Sequence, residues 1–201
     1  MYKIAASLQL FLIALQYTTS DVAADPTAVN YVTTSCRTTR YPSLCVRCLS
    51  RYATSIQGND QKLAKAAISV SLNNANSTAG YISKLATSSG LKPSVYQAVK
   101  DCVNNMNNCV TSLYQSAQEL QKMAQSRGQN FEWHMSNAET WVSSALTNQN
   151  TCARGFSDGS IDGPVKDAVI RRMNYVAQLT SNALALVNRY ALRHKARIHV
   201  P

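Results

Sequence analysis

Polar and apolar positions along this chain recur in steps of three and four over four long stretches, the rhythm of amphipathic helices. The clearest runs from Pro93 to Ala124. There Val95, Val99, Cys102, Met106, Cys109, Leu113, Leu120 and Met123 form one apolar stripe, with Ser116 or Ala117 filling the gap. Pro93 suits a first helical turn, where its missing N–H leaves no bond unmade. Arg127-Gly128 closes the stretch, since glycine accepts the left-handed conformation that ends helices. Asp60 to Thr87 carries Leu63, Ala67, Val70, Tyr81 and Leu85, and Ser88-Ser89-Gly90 ends it. Phe131 to about Cys152 carries Met135, Ala138, Val142, Ala145 and Cys152, with Trp133 and Trp141 beside the stripe. A polar break over 155–163 precedes Val165 to Leu192, with Val165, Val169, Val176, Leu179, Ala183, Leu186 and Tyr190. Short joints make neighbouring helices antiparallel, so the pattern predicts an all-α, up-down-up-down four-helix bundle.

Two segments differ from this pattern. Residues 25–58 contain a turn, Thr38-Thr39-Arg40-Tyr41-Pro42-Ser43, between Cys36 and Cys45, and predict a short helical hairpin clasped by a disulfide ahead of the bundle. Residues 1–24 join a positive Lys3, a mainly apolar Ile4–Gln16 and a small-residue end at Val22 to Ala24, the layout of a secretory signal peptide cleaved before Asp25. As a helix the apolar run would span roughly 20 Å, short of the about 30 Å of a bilayer core. The expected organisation is a signal peptide at 1–24, the hairpin at 25–58, the bundle at 59–193 and a basic C-terminal tail at 194–201. The mature protein is expected to be soluble and secreted.

Export decides how the cysteines read. Cys36, Cys45, Cys48, Cys102, Cys109 and Cys152 are disulfide candidates first in an oxidising compartment, and spacing alone does not choose their pairing. Asn76-Ser77-Thr78 becomes a usable glycosylation sequon on the same route. Charged residues make up 15% of the 201 positions, with 20 Lys and Arg against 10 Asp and Glu, a formal charge of +10. Arg189, Arg193, His194, Lys195, Arg197 and His199 crowd one end of the chain. Such a cluster suits the negative end of a helix dipole and can also hold an acidic polymer. With three histidines, hydrolase and metal-site layouts are poorly supplied.

Catalytic motifs fail on their context. Cys45-Val46-Arg47-Cys48 has redox spacing but no βαβ setting, and a zinc site would need two further ligands. Asp158, Ser160, Asp162 and Gly163 imitate the start of a calcium loop, yet Val169 stands where a bidentate glutamate is required. His134 lies near Ser136, Glu139 and Ser143, all on one helix, with no oxyanion site. A packed or surface histidine explains it better. The expectation is a protein with no catalytic residue, cofactor or metal, and without nucleic-acid or, after cleavage, membrane partners.

Four strings say more. Cys36-Arg-Thr-Thr-Arg-Tyr-Pro-Ser-Leu-Cys45, Ala98-Val-Lys-Asp101-Cys102, Trp141-Val-Ser-Ser-Ala-Leu-Thr-Asn148-Gln-Asn-Thr151-Cys152 and Gln178-Leu-Thr-Ser-Asn182-Ala-Leu-Ala-Leu-Val-Asn188 occur in order, at fitting distances. Together they resemble the plant invertase/pectin methylesterase inhibitor family over nearly all of the mature length. The resemblance implies a Cys36–Cys45 bridge in the hairpin and a Cys102–Cys152 bridge between two bundle helices. Cys48 and Cys109 fall outside the four-cysteine pattern and read as buried and unpaired. The resemblance implies an inhibitor of the apoplast or cell wall that covers the pectin-binding cleft of a pectin methylesterase in a one-to-one non-covalent complex. The family's invertase branch uses a Pro-Lys-Phe segment before the third-cysteine helix. Here that region reads Gly90-Leu-Lys92-Pro93-Ser94, which favours the pectin methylesterase branch over an inhibitor of cell-wall or vacuolar acid invertase. A non-catalytic binder of acidic pectin, using the positive charge, is a further alternative. Thr147, Asn148, Asn150 and Thr151 are the candidate partner contacts, small polar groups beside the Cys152 anchor, with Asn104, Asn105, Asn107 and Asn108 behind them.

Overall fold

The computed structural model describes residues 25–157, 159 and 161–198. Residues 1–24, where the sequence predicts a signal peptide, lie outside them, as do Asp158, Ser160 and residues 199–201. Among the described residues seven α-helices follow in order: α1 (Pro26–Cys36), α2 (Pro42–Leu49), α3 (Ala53–Ile56), α4 (Asp60–Ala86), α5 (Pro93–Lys122), α6 (Gln129–Gly155) and α7 (Pro164–Ile198). Proline opens α1, α2 and α5, where a missing N–H is harmless. Gly90, Gly128 and Gly163 hold φ of 83°, 56° and 98° at the three bundle joints, a conformation that side chains bearing a Cβ resist.

α4 to α7 form the expected square. α4 and α6 each pack between α5 and α7. Cross-helix bonds fix the directions. Ser112 Oγ lies 3.2 Å from Ser144 Oγ, and Ser116 Oγ donates to the Ala138 carbonyl at 3.1 Å. As the α5 number rises the α6 number falls, so the two run antiparallel. Every α5 stripe residue named from the sequence is buried, Ser116 included. In α4 the stripe drifts. Ala75, Thr78 and Ile82 are buried, whereas Tyr81 and Leu85 are half-exposed, and the Tyr81 ring turns out to the α4–α7 seam beneath the Arg172 guanidinium at 4.0 Å.

The apolar interior divides into two clusters. One joins the hairpin to the near end of the bundle, through Val32, Leu44, Ile56, Leu63, Phe131 and Leu186. The other fills the far end, through Ile82, Val99, Met106, Phe156, Val169 and Met173. Each contains one disulfide, Cys36–Cys45 in the first and Cys102–Cys152 in the second.

Polar clips hold the hairpin to the bundle. Asn182 on α7, buried, donates from Nδ2 to the Tyr41 carbonyl at 2.9 Å and accepts the Tyr41 N–H on Oδ1 at 3.0 Å. Two of the strings quoted above, Tyr41-Pro42 and the Asn182 segment, therefore meet. Buried Asp60 gathers Tyr31 from α1 at 2.5 Å, Arg189 at 3.1 Å and Arg193 at 3.3 Å. Burial and the adjoining carboxylate push the Tyr31 phenol up to about 12, so it serves as the donor. α7 runs through position 193 to Ile198, because His194 stacks on buried Phe131 with ring centroids 3.5 Å apart and Lys195 reaches Glu132 at 3.9 Å.

Candidate functional site

Thr147, Asn148, Asn150 and Thr151 occupy the last two turns of α6, beside the Cys102–Cys152 bridge. Thr147 Oγ1 donates to the Ser143 carbonyl at 3.0 Å, and Asn148 Nδ2 donates to the Ser144 carbonyl at 2.9 Å. Thr151 Oγ1 accepts from Arg154 at 3.0 Å. With those donors turned onto their own helix, Thr147 and Asn148 offer a partner oxygen acceptors. Asn148 is half-buried and the other three are exposed. Thr151 also lines a shallow groove of about 380 Å³ whose floor is the disulfide and whose walls include Ser94, Gln97, Asp101 and Asn105 of α5. The structure thus brings Thr151 together with Asn105, whereas Thr147 and Asn150 stand outside the groove lining.

Sequence reasoning named Trp133 and Trp141 only as neighbours of a stripe. They prove to be exposed, at 61% and 37%, and Tyr114 of α5 at 54%. Trp141, three residues from both Ser144 and Ala138, stands on the α5 side of α6, whereas Tyr114, two residues from both Ser112 and Ser116, is turned away from α6. Tyrosine and tryptophan bury large area at little entropic cost and dominate protein interfaces. The signal was present in the sequence, as large aromatics at off-stripe positions.

His134 has a partner that sequence reasoning missed. Its Nδ1 lies 2.6 Å from Oε2 of Glu119, a buried acid one helix back, and Lys122 Nζ holds the other carboxylate oxygen at 2.8 Å. Burial works to raise the Glu119 pKa, but the bonds from Lys122, His134 and Asn137 outweigh it and hold the carboxyl below its ordinary value. An ionised carboxylate only accepts, so His134 Nδ1 carries the proton. This pair ties α5 to α6 and approaches none of the serines near His134 in sequence.

Cys48 and Cys109 are free and buried. Burial pushes the Cys109 thiol up to about 11, against a weaker opposing bond from Gln149 Nε2 at 3.1 Å, so it remains an unreactive thiol. Cys48 Sγ sits 3.8 Å from Tyr175 Oη. Asn76 is exposed on α4 while Thr78 of its sequon is buried. Among the described residues no three metal-binding side chains gather, and no helix is long and apolar enough to cross a membrane.

A disulfide-pinned helical bundle with a hairpin at one end and two exposed tryptophans on α6 offers surface for contacting another protein. Residues 30–186 match the family described as plant invertase/pectin methylesterase inhibitor, and the chain belongs to that family. It is 44% identical over 170 residues to pectinesterase inhibitor 9 of Arabidopsis thaliana, covering 83% of both chains. It is 38% identical over 199 residues to pectinesterase inhibitor 11 of the same plant, covering 96% of this chain and 98% of that one. Its fold matches the crystal structure of a mutant form of a pectin methylesterase inhibitor from Arabidopsis, with a TM-score of 0.63 at 20% identity, covering 78% of this chain and 95% of the other.

Proposed function

We propose that this chain is a secreted inhibitor of pectin methylesterase that acts by occupying the enzyme's pectin-binding cleft in a one-to-one complex and turns over nothing itself. The observation that carries this reading is family membership with full-length relatives named pectinesterase inhibitors. A rigid bundle blocks a long polysaccharide cleft by covering it, which needs a complementary surface and no reactive group. The outer α5–α6 face is the candidate for that surface: Trp141 as aromatic anchor, with Asn148, Asn150, Thr147 and Thr151 as the polar margin. Ordering costs little there, because Cys152 already pins the end of α6. The signal peptide at 1–24, an apoplastic location and a glycan on Asn76 belong to the same reading.

Purified chain mixed with several plant pectin methylesterases should silence at least one stoichiometrically, and replacing Asn148 and Thr151 by arginine should weaken inhibition at least tenfold while helical content stays unchanged. Stoichiometric silencing of an acid invertase, with every pectin methylesterase untouched, would overturn the choice of target.

A further inference from the structure

Part of the positive charge that the sequence crowds at its C-terminal end is paired in the fold. In the C-terminal cluster, Arg189 and Arg193 are both drawn onto Asp60, and Lys195 reaches Glu132. Other cations stand without a carboxylate elsewhere. From 26 to 59 and from 168 to 201 the sequence contains not one Asp or Glu. The fold lays these two acid-free segments against each other, with α2 packed on α7. Where they meet, Tyr175 is 41% exposed and its hydroxyl contacts Cys48 of α2. Arg47 and Arg51 flank that hydroxyl closely enough to stabilise its ionised form, against the larger effect of burial. Arg171 lies one turn before Tyr175 on α7. Arg172 beside it is spread over the Tyr81 ring, and Arg51 lies 5.5 Å from the Tyr52 ring. All four arginines are exposed, and among the described residues none has a carboxylate within salt-bridge distance.

We propose that this α2–α7 face binds de-esterified pectin, a polyuronate. The inference rests on the reading of the protein as an inhibitor of pectin methylesterase, whose reaction converts a neutral methyl ester into a carboxylate. Guanidinium groups form paired hydrogen bonds with carboxylates, and exposed tyrosine rings cover the apolar faces of sugar rings. Four exposed arginines about the exposed Tyr175, two of them lying over the half-buried rings of Tyr52 and Tyr81, therefore fit a polymer that presents one carboxylate per sugar. The face lies on the α7 side of the square, away from the α5–α6 face assigned to the enzyme. The inhibitor would thus be retained where its target has already acted, with its inhibitory face free.

The test uses the full mature chain and measures affinity for polygalacturonate and for fully methyl-esterified pectin by calorimetry. Wild type should bind the first, at least tenfold more weakly when salt is raised from about 0.05 to about 0.3 M, and should ignore the second. R47Q/R51Q/R171Q/R172Q should lose at least tenfold. K62Q/K65Q/K100Q/R127Q, which removes the same charge elsewhere, should lose less than twofold. Equal losses in the two variants, equal binding of both pectins, or binding of dextran sulfate without binding of polygalacturonate would each overturn the proposal. Complex formation with the enzyme, followed by gel filtration without any pectin present, separates the two readings. It should survive the four-arginine replacement, and its absence in wild type would remove the inhibitor reading while leaving the polymer measurement to stand or fall alone.

Discussion

Glu119 shows how a single acid can be worth more than a row of surface charges. It is 5% exposed, and its two oxygens are taken by Lys122 and His134. Because its folded pKa is lowered, its contribution to stability is fully present above the unfolded value and fades as pH falls through the folded one. Glu119→Gln should therefore lower the free energy of unfolding by about 1–2 kcal/mol at neutral pH. The gap to wild type should narrow as pH drops below about 4.5, the ordinary carboxyl value. Urea titrations at several pH values read this directly, and a gap that widened in acid would contradict it. The pair was illegible in the sequence for a physical reason. A stripe of apolar residues declares which face is buried, but a buried polar residue looks like a solvated one until its partner is known. The partner of His134 lies fifteen residues back across a turn, not among Glu139, Ser136 and Ser143 on its own helix.

Elements were more legible than their clasps. Apolar spacing and the Pro93, Gly90 and Gly128 punctuation locate the long helices closely, because propensity, capping and burial agree there. The sequence pattern ends the bundle at Arg193 and makes 194–201 a basic tail, since a run of cations resembles a solvated end. The helix continues because His194 finds the Phe131 face and Arg193 finds Asp60. Asn182 sits in a quoted string, yet nothing in the sequence revealed that it grips the backbone of Tyr41 with both ends of its amide. That grip is what docks the hairpin on α7. Asn182→Ala leaves a backbone N–H and a carbonyl without their partner, at a cost of about 2 kcal/mol. Asn182→Asp keeps the acceptor and loses the donor, and should fall between the two. Hydrogen exchange should show the loss concentrated in residues 26–56, with the far half of α5 and α6 unchanged.

At the scale of the whole molecule, two apolar clusters at opposite ends each hold one disulfide, and their roles should separate. Cys36–Cys45 closes 9 residues of chain and Cys102–Cys152 closes 50. In the loop-closure picture the longer bridge contributes about 1.5 kcal/mol more. Cys102→Ser/Cys152→Ser should therefore melt lower than Cys36→Ser/Cys45→Ser, and equal melting temperatures would contradict the entropic account. Inhibition should divide more sharply than stability. The Cys102–Cys152 bridge forms the floor of the groove between α5 and α6 and anchors Thr151, whereas the hairpin bridge lies at the other end, against α4 and α7. Assayed well below both melting temperatures, the hairpin variant should inhibit a susceptible pectin methylesterase at wild-type stoichiometry. The groove variant, still helical by circular dichroism, should inhibit at least tenfold less well, because the α6 end must then be ordered on binding. The reverse pattern, with the hairpin variant losing inhibition and the groove variant retaining it, would move the enzyme-facing surface from α5–α6 to the hairpin end of the bundle.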